Sequence, residues 1–282
     1  MTVTAAPPQP APGAGLQIPR FWLGIHHPNW LERTDIPLFV SNPCLNGRKS
    51  FPRARGPWVL DSGAYSELAL HGGWRITEAQ YAARIRLYRQ EIDNLAWTAP
   101  LDFPCETDVL RKTGLSAREH ARLTVDSVLE LRHLGEDVIP VLQGWTAGDY
   151  RRCEEMYEKA GIDLEAEPIV GVGTMCKRQN SLTAVGILDV LARKDDRGMP
   201  RVNLHAFGFS KPGLRLAGAN TLASADSMAW SSAGRHERGC APGHQSEANC
   251  LPFALAWREE LIGRLEDDAA ARHVRRAAIT TP

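Results

Sequence analysis

The chain has 282 residues, 23% of them charged and 43% hydrophobic, with a formal net charge of +0. That length buries one large α/β core or two small ones. No apolar run approaches the ~20 residues needed to span a bilayer, and overall charge announces no nucleic-acid binder.

Met1 to Gly15 is rich in Ala and Pro and lacks a basic segment followed by an apolar core. It reads as a disordered lead-in over 1–18 rather than a secretory signal. Six cysteines without a signal peptide imply reduced thiols or a metal site, and a cytoplasmic protein. Phe21 to Ile25 and Pro37 to Ser41 are the first two strand candidates. Asn42 to Gly56 reads as a loop, and within it Arg48, Lys49, Arg53 and Arg55 form a local basic patch without an acid. Such a patch is either a solvated loop or a contact for the phosphates of a nucleic acid. Trp58 to Leu60 is the third strand, Ile76 to Ile92 a helix, and Leu95 to Asp102 the fourth strand.

Ser116-Ala117-Arg118-Glu119 is a capping box that opens a helix ending near Leu134. Val138 to Leu142 is the fifth strand despite Pro140, and a helix begins at Thr146. Pro168 to Gly173, Val202 to Phe209 and Ala225 to Trp230 complete eight strand candidates, with a helix over Ser181 to Arg193. The last helix is expected over Leu251 to Leu265, closing a domain at 19–267 and leaving a C-terminal tail over 268–282. Alternating β and α segments predict a (β/α)8 TIM-type barrel with irregular early units; an open doubly wound sheet is the alternative.

In such a barrel the strand ends converge on one rim. Here they carry Asp61-Ser62-Gly63, Asp102, Gln143-Gly144, Gly171-Val172-Gly173 and Asp226. Any single Asp after a strand serves equally well as an Asx-turn or helix cap. Three together, with glycines that let a ligand approach the backbone, point to a shared pocket. Close carboxylates push one another's pKa values apart, which suits division into nucleophile and acid/base. An Asp matches the N1–H and amine edge of guanine, Gln143 and an amide near Gly173 face O6, and Tyr65 stacks on the ring. A carboxylate can equally attack an anomeric carbon.

These segments resemble the tRNA-guanine transglycosylases (queuine tRNA-ribosyltransferases). Leu60-Asp61-Ser62-Gly63-Ala64-Tyr65 resembles their Asp-Ser-Gly-Gly-Phe, and Asp102 with Cys105 their Phe-Asp-Glu-Cys. Val141-Leu142-Gln143-Gly144 resembles Val-Gln-Gly, and Ala225-Asp226-Ser227-Met228 resembles Phe-Asp-Cys-Val, in the same order from about Phe21 to Leu265. Within that superfamily the chain looks most like the shorter DpdA-like proteins, which place 7-deazaguanine bases in DNA. The resemblance implies that Asp226 is the nucleophile and Asp61 the general base. Asp102 and Gln143 would read the base edge, with Ser62 and Gly173 lining the pocket. His205 stands where the family usually has an apolar residue and is expected to touch the ligand. Ala64 and Tyr65 depart from the family's Gly and Phe and put its stacking face in doubt.

The family carries a structural zinc after this strand, built from three cysteines and a histidine. Cys240, His244 and Cys250 are the strong ligands here, with Glu247 or His236 to complete the set, although the usual cysteine spacing is missing. A pair of free thiols beside a chance histidine explains the same residues. No organic cofactor is expected. The expected activity is exchange of guanine in DNA for a preQ0-type 7-deazaguanine through a covalent Asp–sugar intermediate. Its expected partners are DNA, the free base and helper proteins of a DNA-modification system, and no membrane. The alternatives are the tRNA reaction or glycosidase chemistry at the same site, and a non-catalytic nucleobase-binding barrel.

Overall fold

The computed structural model describes residues 18–176, 182–209, 211–217, 221–238, 240 and 243–280, so the expected N-terminal tail lies outside them except at Ile18. Eight strands run parallel: β1 (Arg20–Ile25), β2 (Leu38–Ser41), β3 (Trp58–Asp61), β4 (Leu95–Thr98), β5 (Val141–Leu142), β6 (Val170–Val172), β7 (Leu204–Ala206) and β8 (Ser224–Ser227). Their order is β4-β3-β2-β1-β8-β7-β6-β5. A parallel bridge from Thr98 to Val138 joins the two ends, with Ile139 N–H donating to Thr98 O at 3.0 Å. This sequential ring is the (β/α)8 barrel and excludes the doubly wound order.

The closure is thin for a local reason. β5 has two residues and follows Pro140, which has no N–H for a ladder. The Tyr157 hydroxyl lies 3.0 Å from both Val141 N and Val141 O, accepting from one and donating to the other. The phenol thus satisfies buried backbone groups that a neighbouring strand would otherwise pair.

Helices pack outside the ring, and their ends follow from local chemistry. Thr77 and Gln80 form a capping box at α3 (Glu78–Ile92), and Ser116 and Glu119 another at α5 (Ala117–His133). Thr146 and Asp149 do the same at α6 (Ala147–Lys159). Where a loop was expected, Asn42 opens a one-turn helix, α1 (Asn42–Leu45), with Pro43 in its first turn. The other departures are at the C-terminus. β8 stops at Ser227, and Trp230 lies in α9 (Ala229–Gly234), its indole N–H donating to Gly24 O. The last helix, α10 (Leu251–Thr280), continues past Leu265 and through most of the segment expected as a tail. Its buried stripe persists from Leu261 through Leu265 to Ala269 at four-residue spacing, and Arg215 pairs with Asp268 beside the last of these.

Strand alternation divides the core into two. Trp58, Leu60, Leu23 and Val40 face the helices, each burial worth ~1.5–3 kcal/mol. Trp22, Phe39, Val59, Trp97 and Phe207 face inward, with Ile139, Val141 and Ile169 beside them. These side chains fill the barrel and make an aromatic floor beneath the polar rim.

Candidate active site

Two-residue periodicity lifts the site off this floor. Val59 is an inward floor residue, so Asp61 faces inward one layer higher; Val141 places Gln143 in the same way. Asp61 is partly buried and accepts from Gly63 N–H at 3.0 Å, with Gly63 at φ 84 and the Ser41 hydroxyl also on its carboxylate. Burial, then the charges of Asp102 and Asp226, push its carboxyl up to about 7.

Asp102 is held from two sides. Ser62 Oγ–H donates to Oδ1 at 2.8 Å and Gln143 Nε2–H to Oδ2 at 2.6 Å. Burial raises Asp102 to about 6, against the lowering effect of those two donors. Gln143 is oriented at its other end by Thr174, whose hydroxyl donates to Oε1 at 2.9 Å. Thr174 has φ 58 and also accepts from Cys105 N–H at 2.8 Å. The buried Glu106 lies nearby, taking the Cys176 thiol at 3.5 Å.

Asp226 occupies the opposite wall, in β8. Its Oδ1 accepts from Gly208 N–H at 2.9 Å and lies 3.2 Å from His205 Nε2; no hydrogen bond to Oδ2 is seen among the described residues. Beside it a cleft of about 640 Å³ opens outward, lined by Cys176, Gly208, Ser227, Met228, Ser232 and His236.

Several expected contacts have other occupations. His205 is fully buried and faces Ser224 and Asp226, so it touches the acid rather than standing at a ligand face. Gly173 N–H is spent on Leu142 O and cannot serve a base; what the glycine provides is room for Gln143. Gly171 likewise makes room for the Phe207 ring, because a Cβ there would come within 2.5 Å of it. Tyr65 is exposed at the rim, its hydroxyl donating to Asp108 at 2.8 Å. Ser41, Glu106 and Thr174 carried no motif, while Gly208 lies at the end of the seventh strand candidate and Ser224 at the start of the eighth with no role read from either; their contacts come from strand register and turns.

The family model described as "DpdA: DeoxyPurine in DNA protein A" matches residues 18–279. The chain belongs to the DpdA family. No curated protein matches it. The DpdA match runs across all eight strands and the whole rim, so the three acids and the loop after β8 lie within it.

That loop of the DpdA-family chain gathers donors of metal-ligand type. Cys240 Sγ, Cys250 Sγ and a Glu247 carboxylate oxygen lie within 4.8 Å of one another, the sulfurs 3.2 Å apart. His244 is turned onto Glu247, its Nδ1 2.8 Å from Oε2, and so stands behind the carboxylate rather than among the three. Two sulfurs and a buried carboxylate suit zinc in donor chemistry. Tetrahedral zinc with sulfur bonds of ~2.3 Å would need the sulfurs about half an ångström further apart than the 3.2 Å seen here.

The basic patch divides. Arg48 donates to Asn29 Oδ1 at 2.7 Å, in the turn after β1, and Lys49 is exposed beside it. Arg53 pairs with Asp93 at 3.6 Å, and Arg55 N–H donates to Leu31 O. Asp93 lies two residues before β4, so Arg53 lies at the strands' N-terminal end, opposite the acids. No helix among the described residues is long and apolar enough to cross a membrane.

Proposed function

We propose that this protein exchanges guanine in DNA for a 7-deazaguanine base. Membership of the DpdA family supports a role in DNA modification. The observation that carries the exchange chemistry is the division of labour among three rim carboxylates. Asp226 has one oxygen held and one open, Asp61 is raised to about 7, and Asp102 is clamped by Ser62 and Gln143.

Asp226 Oδ2 attacks C1′ from the face opposite the base. The C1′–N9 bond breaks, its electron pair stays on the purine, and protonated Asp61 returns a proton to the departing guanine. The intermediate is a C1′ ester of Asp226. Incoming 7-deazaguanine then loses its N9 proton to ionised Asp61 and attacks C1′ as the C1′–Oδ2 bond breaks. Two inversions give retention, and the proton count closes. A group titrating near neutrality suits both transfers.

Asp102 reads the N1–H and amine edge of guanine, using the lone pairs left after accepting from Ser62 and Gln143. The aromatic floor beneath these residues keeps the pocket dry, which strengthens each hydrogen bond. Zinc, when bound, supplies a structural cross-link: Cys240, Cys250 and Glu247 would hold it and brace the loop that follows β8 and α9.

The test is isotopically labelled 7-deazaguanine offered with DNA and, separately, with tRNA. Incorporation into DNA supports the reading. Label entering only tRNA redirects it to the tRNA reaction, and loss of guanine without incorporation redirects it to a glycosidase.

A further inference from the structure

We infer that His205 is a positioning residue that holds Oδ1 of Asp226 and so dedicates Oδ2 to the bond with the sugar. This rests on the reading of Asp226 as the nucleophile.

The ring is fixed before it meets the acid. It stacks on Phe39 with centroids 5.9 Å apart and an interplanar angle of 12°. Trp97 and Phe207 meet it edge to face at 4.8 and 4.7 Å. His205 is opposite Ser224 in the β7–β8 register, and Asp226 is two residues further along the same strand face. The ring therefore reaches both: Nδ1 lies 2.8 Å from Ser224 Oγ and Nε2 3.2 Å from Asp226 Oδ1.

An ionised carboxylate only accepts hydrogen bonds, so Nε2 is the donor to Oδ1. In a neutral imidazole the other nitrogen then accepts, and the Ser224 hydroxyl donates to it. With Gly208 N–H also on Oδ1, one oxygen takes two hydrogen bonds while the other takes none from the described residues. A carboxylate free to rotate would present either oxygen to C1′; this one presents Oδ2.

The arrangement acts most strongly in the second half of the exchange. While the ester exists, Oδ1 is a neutral carbonyl oxygen. As the C1′–Oδ2 bond breaks, its electron pair returns to the carboxylate and negative charge grows on Oδ1. Two donors already in place stabilise that charge more than they stabilise the ester, which is the condition for accelerating the step. A hydrogen bond to a charged group is strong enough that losing this donor slows ester breakdown ~10–100-fold. Base affinity, set on the Asp102 wall, is unaffected.

The experiment compares wild type, His205→Phe, His205→Gln and Asp226→Asn with DNA and labelled 7-deazaguanine. It follows the denaturation-resistant enzyme–DNA adduct and the steady-state exchange. His205→Phe keeps an aromatic ring but no donor. It is expected to accumulate adduct and to lose kcat ~10–100-fold, with KM for the base within about threefold of wild type. His205→Gln places an amide N–H near the Nε2 position and is expected to restore most of kcat. Wild-type kcat in His205→Phe, or an equal loss in His205→Gln, overturns the inference while leaving base exchange intact. Absence of an adduct in wild type overturns both. Should His205→Phe fail to fold, ¹⁵N NMR of the wild-type ring decides: a proton on Nε2 with Nδ1 accepting supports the inference, and a proton on Nδ1 alone overturns it.

Discussion

The carboxamide of Gln143 occupies the space where a side chain at Gly173 would stand: a Cβ there would lie 2.2 Å from Nε2. Gln143 cannot yield cheaply, because it is fully buried and bonded to Asp102 at one end and Thr174 at the other. Gly173→Ala is therefore expected to push the amide off Asp102. Overpacking should cost ~1–3 kcal/mol of stability, and KM for the incoming base should rise ~10-fold or more, as expected for a lost charge-assisted hydrogen bond. Thermal unfolding and steady-state exchange with labelled base measure the two effects.

Asp61 should show opposite signs in stability and activity. Its carboxyl titrates near 7 when folded, against an ordinary value of 3.8. A raised acid is protonated more tightly in the folded state. The resulting stability is fully present below the unfolded value and is lost as pH rises through the folded one. Asp61→Asn removes that loss and should be more stable than wild type by about 2–4 kcal/mol at pH 8, with a smaller margin at pH 5. Exchange should fall ~100-fold or more, and the fall of the wild-type rate as pH rises through about 7, where Asp61 loses the proton it gives to the departing guanine, should vanish. Denaturation at the two pH values and a pH–rate profile check both.

Much of this molecule is legible in its sequence, and the limits are instructive. Most of the strands could be found because those buried on both faces read as apolar runs, and Asp61 and Asp102 because each follows such a run. Asp61 with Ser62 was conspicuous for that reason. Asp226 lies inside the short, largely polar β8 and stands out only through the family resemblance. His205 was visible as a polar residue in an apolar strand, but its partner was not, since a contact across β7 and β8 depends on register rather than spacing. Gly171 and Gly173 looked like room for a ligand and proved to be room for Phe207 and Gln143, a distinction that only packing makes. The basic loop looked like one patch because its residues are close in sequence, while the chain carries Arg53 away from the rim.

The two halves of that loop should accordingly behave differently. Reversing Arg48 and Lys49 to Glu is expected to weaken DNA binding ~10-fold or more at low salt and to flatten the salt dependence of affinity. Reversing Arg53 and Arg55 should leave both near wild type. Fluorescence-anisotropy titrations over a salt series separate the pairs.

The loop after β8 should bind about one zinc per chain through Cys240, Cys250 and Glu247. Cys250→Ser is expected to lose the metal and several degrees of Tm, and chelation should reproduce the shift in wild type but not in the variant. Elemental analysis alongside calorimetry gives the answer without an activity assay.

The exchange depends on covalent attachment of Asp226 to the sugar. Incubating the protein with DNA and 7-deazaguanine, denaturing it, and mapping the adduct by peptide mass analysis tests this directly. An adduct is expected on the peptide carrying Asp226 and is expected to be absent from Asp226→Asn. An adduct on another residue, or one that forms normally in Asp226→Asn, would contradict that attachment.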